Sequence, residues 1–361
     1  MKWTVGLKGL AAIGAMVIST AVSGGEIEVE NASLPIPFRL PSSSVGEPAA
    51  LDRQIEASAI EAIGDGKLLL VAHDRSAELF VVETATGQRV GRPLTCSQFP
   101  NGAEIPPKWE GMARDDQGCY YVIGTHSGKS DSDRPSRSFL FRFRLTGGTN
   151  GTPVAIDGSS VRRWHLADSL KTTLGRELPD AAAVDLRKIE GLTVRTVTGG
   201  EGKPGRVELI VGLREPSDLV RAFVADIAQT PENNATLSLT PLFRFDAGSR
   251  EGVPCQLTSL NYMPEWKGFL IVTATEDDQN VFHGNTLWFL PDEQVARGPR
   301  VSPDAVYVFE PAMKAEGLCT LPGASGPNPR SVRLAVSFDN DPHSTHIPSR
   351  LQILTISRRA P

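Results

Sequence analysis

"LRKIEGLTV", residues 186–194, places a glutamate and a glycine at the head of an apolar run. The same pair heads two other runs, "KWEGMAR" around Glu110 and "KAEGLCT" around Glu316. A looser copy, "QIEASAI", surrounds Glu56. Aligning the chain on these glutamates exposes a longer repeat. Each head is followed by a second apolar run ("GKLLLVAHDRS", "CYYVIGTHSG", "VELIVGLREP", "VRLAVSFDND") and then by a third ("ELFVVET", "FLFRFRL", "RAFVADI", "RLQILTI"). A unit without the glutamate reads "CQLTSLN", "GFLIVTATEDD" and "TLWFLP". Turn-forming clusters ("GDGK", "DDQG", "GKPG", "EWKG") separate first runs from second runs, as expected of hairpins.

A fourth apolar run precedes each new unit: "GQRVGRPLT", "VRRWHLA", "PLFRFDA" and "AVYVFEP". Four strands per repeat, at uneven spacing, is the pattern of β-propeller blades; a parallel solenoid demands a more constant period. The sequence therefore predicts an all-β fold, a propeller of five four-stranded blades, with six blades as the alternative count. Near the N-terminus "LPIPFRLP" resembles a between-unit strand with no unit before it. In a ring it can complete the last blade beside "LQILTI", which removes a free sheet edge. "WHLADSLKTTLGREL" has helical character and is expected to lie over one face.

The chain has 361 residues, with 34 Gly and 27 Pro, in keeping with many turns. Its formal net charge is −5, with no basic stripe, which excludes a nucleic-acid partner on electrostatic grounds. Lys2 and Lys8, the apolar "LAAIGAMVISTAV" and the small residues "AVSGG" read as a secretory signal peptide over residues 1–23. The expected mature domain is residues 24–361, periplasmic or secreted, monomeric, and away from the membrane after cleavage. Export leaves Cys96, Cys119, Cys255 and Cys319 two readings, one disulfide or buried small hydrophobes. Their spacings match no zinc pattern.

In a propeller the first strand of each blade lines the central channel. Glu56, Glu110, Glu190 and Glu316 are then expected to converge on the axis, where carboxylates need a cation, a proton or arginines beside them. Calcium, with its flexible oxygen coordination, is the metal this donor set predicts, in a structural role. The other reading makes each glutamate a fastener between blades.

The second-strand ends carry a further polar set, and equivalent ends share one face of a propeller. These are His73, Asp74 and Arg75; His126 and Ser127; Arg214 and Glu215; Glu276, Asp277 and Asp278; and Asp339, Asn340, Asp341 and His343. Such a ring has the composition of a binding site for a small polar or anionic molecule. His73 and His126 are the candidate proton carriers, and Arg75, Arg137 and Arg214 the candidate anion clamps.

"KWEGMARDDQGCYYVIGTHSGKSDSDRPSRSFLFRFRL" and "LRKIEGLTV…ELIVGLREP…RAFVADI" resemble the two hallmark segments of domain-of-unknown-function family 3616. The matching positions are Glu110, Gly111, His126, Ser127, Arg137, Glu190, Gly191, Gly212, Leu213, Arg214 and Pro216, and the likeness runs from about residue 52 to 275. "CQLTSL" departs from the Arg-Asp-Leu start usual in that family's next blade. The family has no established activity, so the resemblance implies a fold and no reaction. A glutamate-lined channel is also similar, in architecture alone, to propeller phytases and calcium-activated nucleotidases. A calcium-dependent phosphoester hydrolase and a protein-interaction scaffold are the alternatives to simple ligand binding.

Overall fold

The computed structural model describes residues 25–39, 55–97, 99, 108–127, 137–148, 153–177, 188–197, 206–227, 237–323, 329–340 and 347–359. The leader, Asp341 and His343 lie outside the described residues. Two N-terminal strands come first, β1 (Ile27–Ala32) and β2 (Ile36–Pro37). Blade 1 follows with β3 (Ala57–Ile63), β4 (Leu68–His73) and β5 (Leu79–Glu83). Blade 2 is β6 (Trp109–Arg114), β7 (Cys119–Gly124), β8 (Phe139–Thr146) and β9 (Ala155–His165), and helix α1 (Ala167–Glu177) leads out of it. Blade 3 is β10 (Lys188–Val197), β11 (Arg206–Glu215), β12 (Val220–Asp226) and β13 (Thr240–Phe245). A two-stranded hairpin, β14 (Ser249–Arg250) and β15 (Val253–Pro254), precedes blade 4.

Blade 4 is β16 (Gln256–Met263), β17 (Gly268–Glu276), β18 (Phe282–Pro291) and β19 (Asp304–Val308), with the short helix α2 (Asp292–Ala296) after β18. Blade 5 is β20 (Ala315–Leu321), β21 (Ser331–Phe338) and β22 (Arg350–Arg358). Every blade is an antiparallel meander, and the inner strands β3, β6, β10, β16 and β20 touch in that order and back to β3. The ring thus has five blades.

Second strands such as "CYYVIG" and "FLIVTAT" read as unbroken apolar runs because a blade is covered on both faces by its neighbours. Apolar side chains from adjacent blades fill each seam. Leu270, Phe289, Leu318 and Phe338, for example, share the seam of blades 4 and 5. Gly66 and Gly118 close first hairpins at φ +80 and +77, a left-handed conformation that other residues adopt at a cost. Helix α1 forms as its sequence implies and buries Leu170 and Leu174 with Leu237 and Leu239, on the blade 2–blade 3 side of the ring.

Two expectations are corrected, and one left open, the state of the cysteines, is decided. The strand that closes the ring is chiefly β1, "IEVENA", which pairs with β22 from Ile27↔Arg358 to Ala32↔Leu354; "LPIPFRLP" adds only β2 further along the same strand, at Ile36↔Leu351. Alternation in "IEVENA" is masked by its two carboxylates and amide, Glu28 half-buried and Glu30 and Asn31 exposed on the outer edge. Blade 1 has three regular strands rather than four. Its outer position is filled by isolated bridges, Leu79↔Leu94 and Val82↔Arg89, because the Gly- and Pro-containing "GQRVGRPLT" cannot hold a continuous ladder. The four cysteines are unpaired: Cys119 (in β7), Cys255 (ahead of β16) and Cys319 (in β20) are buried, each in a different blade, and Cys96 is half-buried. They behave as small hydrophobes.

The Glu-Gly pair has a structural cause. Every inner strand carries a β-bulge near its start, where the register with the second strand slips by one residue. The bulged residues are Ser58, Glu110, Glu190, Thr258 and Glu316. Where the bulge holds a hydroxyl, it fastens the next blade: Ser58 donates to the Trp109 carbonyl and Thr258 donates to the Ala315 carbonyl at 2.6 Å. The residue after the bulge faces the neighbouring inner strand. A Cβ on Gly111 would lie 2.7 Å from Leu192 Cβ, one on Gly191 3.0 Å from Leu257 and Leu260, and one on Gly317 3.0 Å from the Ile60 backbone nitrogen.

Gly317→Ala is therefore expected to destabilise the fold by about 1–3 kcal/mol, the usual cost of overpacking. Gly191→Ala should cost less, because its neighbours are leucine side chains that can turn. Urea unfolding of both variants beside the parent checks the order; equal stability would remove the close-approach explanation.

Candidate functional site

The bulge register rearranges the sequence alignment at the channel mouth. Taking the residue two before each bulge gives Glu56, Lys108, Lys188, Gln256 and Lys314. Glu56 is thus not the fourth copy of Glu110, Glu190 and Glu316; it stands where three other blades place lysine, and Ser58 holds the glutamate position. The repeat is really Lys-x-Glu-Gly, in "KWEG", "KIEG" and "KAEG".

The consequence is electrostatic. Each channel glutamate carries its own cation two residues upstream, on the same side of the strand because side chains alternate with period two. Lys108 Nζ lies 3.0 Å from Glu110, Lys314 Nζ lies 2.6 Å from Glu316, and Lys188 contacts Glu190. Arg214 adds a second layer. It donates to Glu276 at 2.6 Å, to Gln256 at 2.7 Å and to Glu190 at 3.4 Å, tying blade 3 to blade 4. Lys314 reaches Glu276 at 3.1 Å, tying blade 5 to blade 4, and Lys108 reaches Asp74 at 3.0 Å, tying blade 2 to blade 1. The counter-charge expected of a metal is supplied for these three glutamates by lysine and arginine.

The mouth is a cavity of about 370 Å³ at the second-strand ends, and it collects Asp74, Glu110, Arg214, Glu276, Asp277, Asp278, Glu316 and Asp339. Sequence reasoning missed Lys108, Lys188, Gln256, Asn280 and Lys314, which line it too. The lysines were legible in the repeat itself, one turn of the alternation before each glutamate. Carboxylates outnumber cations eight to four among the described lining residues.

Burial acts unevenly on these acids. It pushes the Glu110 carboxyl up to about 8, helped by the charge of Glu190. Burial also pushes Glu190 upward, but Lys188, Arg214, Lys314 and Lys108 outweigh it and hold Glu190 at about 2. Burial raises Glu316 well above the carboxylate range, whereas Lys314 and Arg214 overcome it at Glu276 and hold that group low.

The remaining predicted residues divide. At the seam of blades 1 and 5, Glu56, Asp74 and Asp339 come together, one carboxylate oxygen from each lying within 4.8 Å of the others. Burial, then contact with Asp74, pushes Glu56 up to about 7 against the opposing pull of Arg75, whose Nε donates to Glu56 Oε2. Asp74 is held low, Lys108 overcoming its burial. His73 Nδ1 is turned to the Glu56 backbone, 3.2 Å from its nitrogen and 3.3 Å from its oxygen, and packs edge-on to Phe80. His126 sits at φ +60 with Nδ1 2.7 Å from the Gly124 oxygen. Both imidazoles bond backbone rather than the cavity. Arg137 donates to the Ser127 oxygen at 3.3 Å, so that His126, Ser127 and Arg137 form a group of their own beside blade 2. Asp277 accepts from the Val281 and Gln279 nitrogens and meets His283 at 3.0 Å, which shapes the β17–β18 loop.

No family model and no curated protein matches the chain. Solved propellers resemble it at low levels. The Dos1 propeller aligns with TM-score 0.33 and 9% identity over 79% of this chain, which spans 56% of that one. The Myceliophteria thermophila Cps50 (Swd1) β-propeller domain aligns with TM-score 0.36 and 8% identity, over 83% of this chain and 97% of that one. A calcium-binding regucalcin from Agrobacterium tumefaciens strain C58 aligns with TM-score 0.36 and 9% identity, over 85% and 93%. At such values the chemistry of the mouth rests on its own residues.

Lys314→Met is expected to destabilise the protein by about 3–5 kcal/mol, because it strips the cation from the ionised Glu276 and the ammonium donor from the buried Glu316. Chemical denaturation measures this. A change near zero would mean that neither Glu276 nor Glu316 relies on Lys314 in the fold.

Proposed function

We propose that this chain is an exported ligand-binding propeller whose working face is the lysine- and glutamate-lined mouth. It takes calcium at the seam of blades 1 and 5, and a small polar molecule in the cavity beside it. The observation that carries this reading is the meeting of Glu56, Asp74 and Asp339 within 4.8 Å. Three hard oxygen donors suit calcium better than zinc or copper, which prefer nitrogen and sulfur. Two carboxyls in contact hold a proton unless a cation replaces it, and Glu56, pushed up to about 7, is such a proton holder.

The charge balance supports the same ligand class. Lys108, Lys188, Lys314 and Arg214 are each already in an ion pair, so an anion could engage them only by displacing a carboxylate. An anionic group on the ligand is better accommodated by the calcium ion itself. On the motifs quoted above we also read the chain as a relative of domain-of-unknown-function family 3616. The bulge accounts for why glutamate and glycine recur together there.

The test is thermal unfolding in chelator and then in excess calcium. At a hundredfold excess over Kd, binding adds about 2.7 kcal/mol, roughly 5 °C in Tm or more. The rise should vanish in Asp74→Asn and Asp339→Asn and persist in Glu110→Gln. Apparent calcium affinity should increase as pH climbs through about 7, because the Glu56 proton must leave before the metal binds. Absence of any calcium response, or its loss in Glu110→Gln alone, would overturn the seam site.

A further inference from the structure

The channel has a second mouth, where the inner strands end, and nothing in the reading above uses it. A cavity of about 460 Å³ opens there, within the roughly 300–1,000 Å³ of small-molecule sites. Each of the five inner strands brings a polar residue to its wall: Glu61 from β3, Arg114 from β6, Thr193 from β10, Asn261 from β16 and Thr320 from β20. Glu61, Thr193 and Asn261 each stand three residues past their bulge, so the register that builds the first mouth also aims these side chains into the second.

Two charged groups here lack the partners that their counterparts enjoy at the first mouth. Glu61 is 7% exposed, and its one hydrogen bond among the described residues comes from the Ala62 N–H at 2.9 Å. Arg114 is half-buried; its Nε has no hydrogen-bond partner among the described residues, and its guanidinium rests over the Tyr120 ring, 5.6 Å from the centroid. Tyr120 is fixed in turn by donating to the Ala62 carbonyl at 3.1 Å. Glu61 and Arg114 feel each other's charge but form no ion pair. A carboxyl and a guanidinium that face one cavity without closing on each other leave room for a group between them. Asn261 accepts from Thr320 Oγ1 at 2.9 Å, which leaves its amide N–H₂ to the cavity. An unsatisfied buried polar group costs about 1–3 kcal/mol, so a fold that keeps several in one place gains from a ligand that satisfies them.

The chemistry of the ligand follows by elimination. A cation would meet the unpaired Arg114. An anion would meet Asp115, Asp116 and Glu265 in the wall. A neutral molecule bearing several hydroxyls meets neither penalty, since each hydroxyl can both donate and accept. Leu321 and Pro322 add an apolar stretch of wall for the face of a ring.

We propose that the second mouth binds a small neutral polyhydroxylated molecule, of monosaccharide or cyclitol size, with its hydroxyls bridging Glu61, Arg114 and Asn261. The Glu61 carboxyl is pushed up to about 8 by burial, so it carries its proton at neutral pH and can donate as well as accept. The groups around it from neighbouring strands are Arg114, Tyr120 on β7 and Cys319 on β20. Burial holds the phenol and thiol neutral over the same range.

The experiment is saturation-transfer NMR and calorimetry on the mature protein in chelator, which silences a calcium site at the first mouth. The probes are D-glucose, D-galactose, D-mannose and myo-inositol, with L-lactate and putrescine as the charged comparisons. At least one neutral polyol should bind. Arg114→Gln and Asn261→Ala should each weaken it tenfold or more, about 1.4 kcal/mol per decade, while Asp74→Asn at the first mouth leaves it unchanged. In the parent, affinity should fall as pH rises through about 8, and Glu61→Gln, which keeps a donor at every pH, should abolish that fall. Binding of none of the polyols, binding indifferent to Arg114→Gln, or an Arg114-dependent preference for lactate would overturn the proposal. If Asn261→Ala fails to fold, Arg114→Gln and the pH profile of the parent still decide the outcome.

Discussion

Five inner strands converge on one axis, and the groups they point at it lose most of their water. That constraint shapes nearly everything else. Strands brought this close leave no space for a Cβ where they face one another, which sets glycine at Gly111, Gly191 and Gly317. The polar side chains that reach the channel must find partners within it, because a buried charge without one is expensive. The bulge serves both needs at once. It turns one residue into the channel and the next toward the adjacent blade, and it does so at the same point in all five blades.

The Lys-x-Glu-Gly repeat is the chemical form of that solution. Lysine and glutamate two residues apart share one side of a strand, so each blade can bring a neutralised pair rather than a bare charge. Arg214 and Lys314 then cross to Glu276 and make the pairs a network that holds blades 3, 4 and 5 together. Blade 1 breaks the pattern. With Glu56 in the lysine position and Ser58 in the glutamate position, the ring there gathers an extra carboxylate beside Asp74 and Asp339, held by Arg75 from the same blade rather than by an upstream lysine. Two blades depart from the repeat: blade 4 substitutes the neutral Gln256 and Thr258, and blade 1, with its added acid, is where a cation or a proton is most needed.

The two mouths are consequently unlike. One is densely charged and internally paired, with a surplus of acids at a single seam. The other is sparsely charged and internally unpaired, with an acid and an arginine held apart across a cavity. Both arise from a single strand geometry, three or four residues apart along the same five segments.

Much of this was written in the sequence. Four apolar runs per unit and turn clusters between them pointed to a propeller of five blades with six as the alternative, and the closed ring of five inner strands decided the count. Glu110, Glu190, Glu316, Arg214, Glu276 and Asp339 were legible as channel-mouth residues from their place in the repeat. What the sequence could not determine was register. A bulge adds one residue without any mark of its own, so "QIEASAI" matched the other heads by eye while Glu56 stood two places out of step. Register decides which side of a strand a residue faces. Only the folded ring therefore revealed that the lysines pair with the glutamates, that Glu56 belongs with Asp74 and Asp339, and that Glu61 and Arg114, in blades more than fifty residues apart in the chain, look into the same space. Long-range placement of that kind is set by packing between blades, which no local pattern encodes.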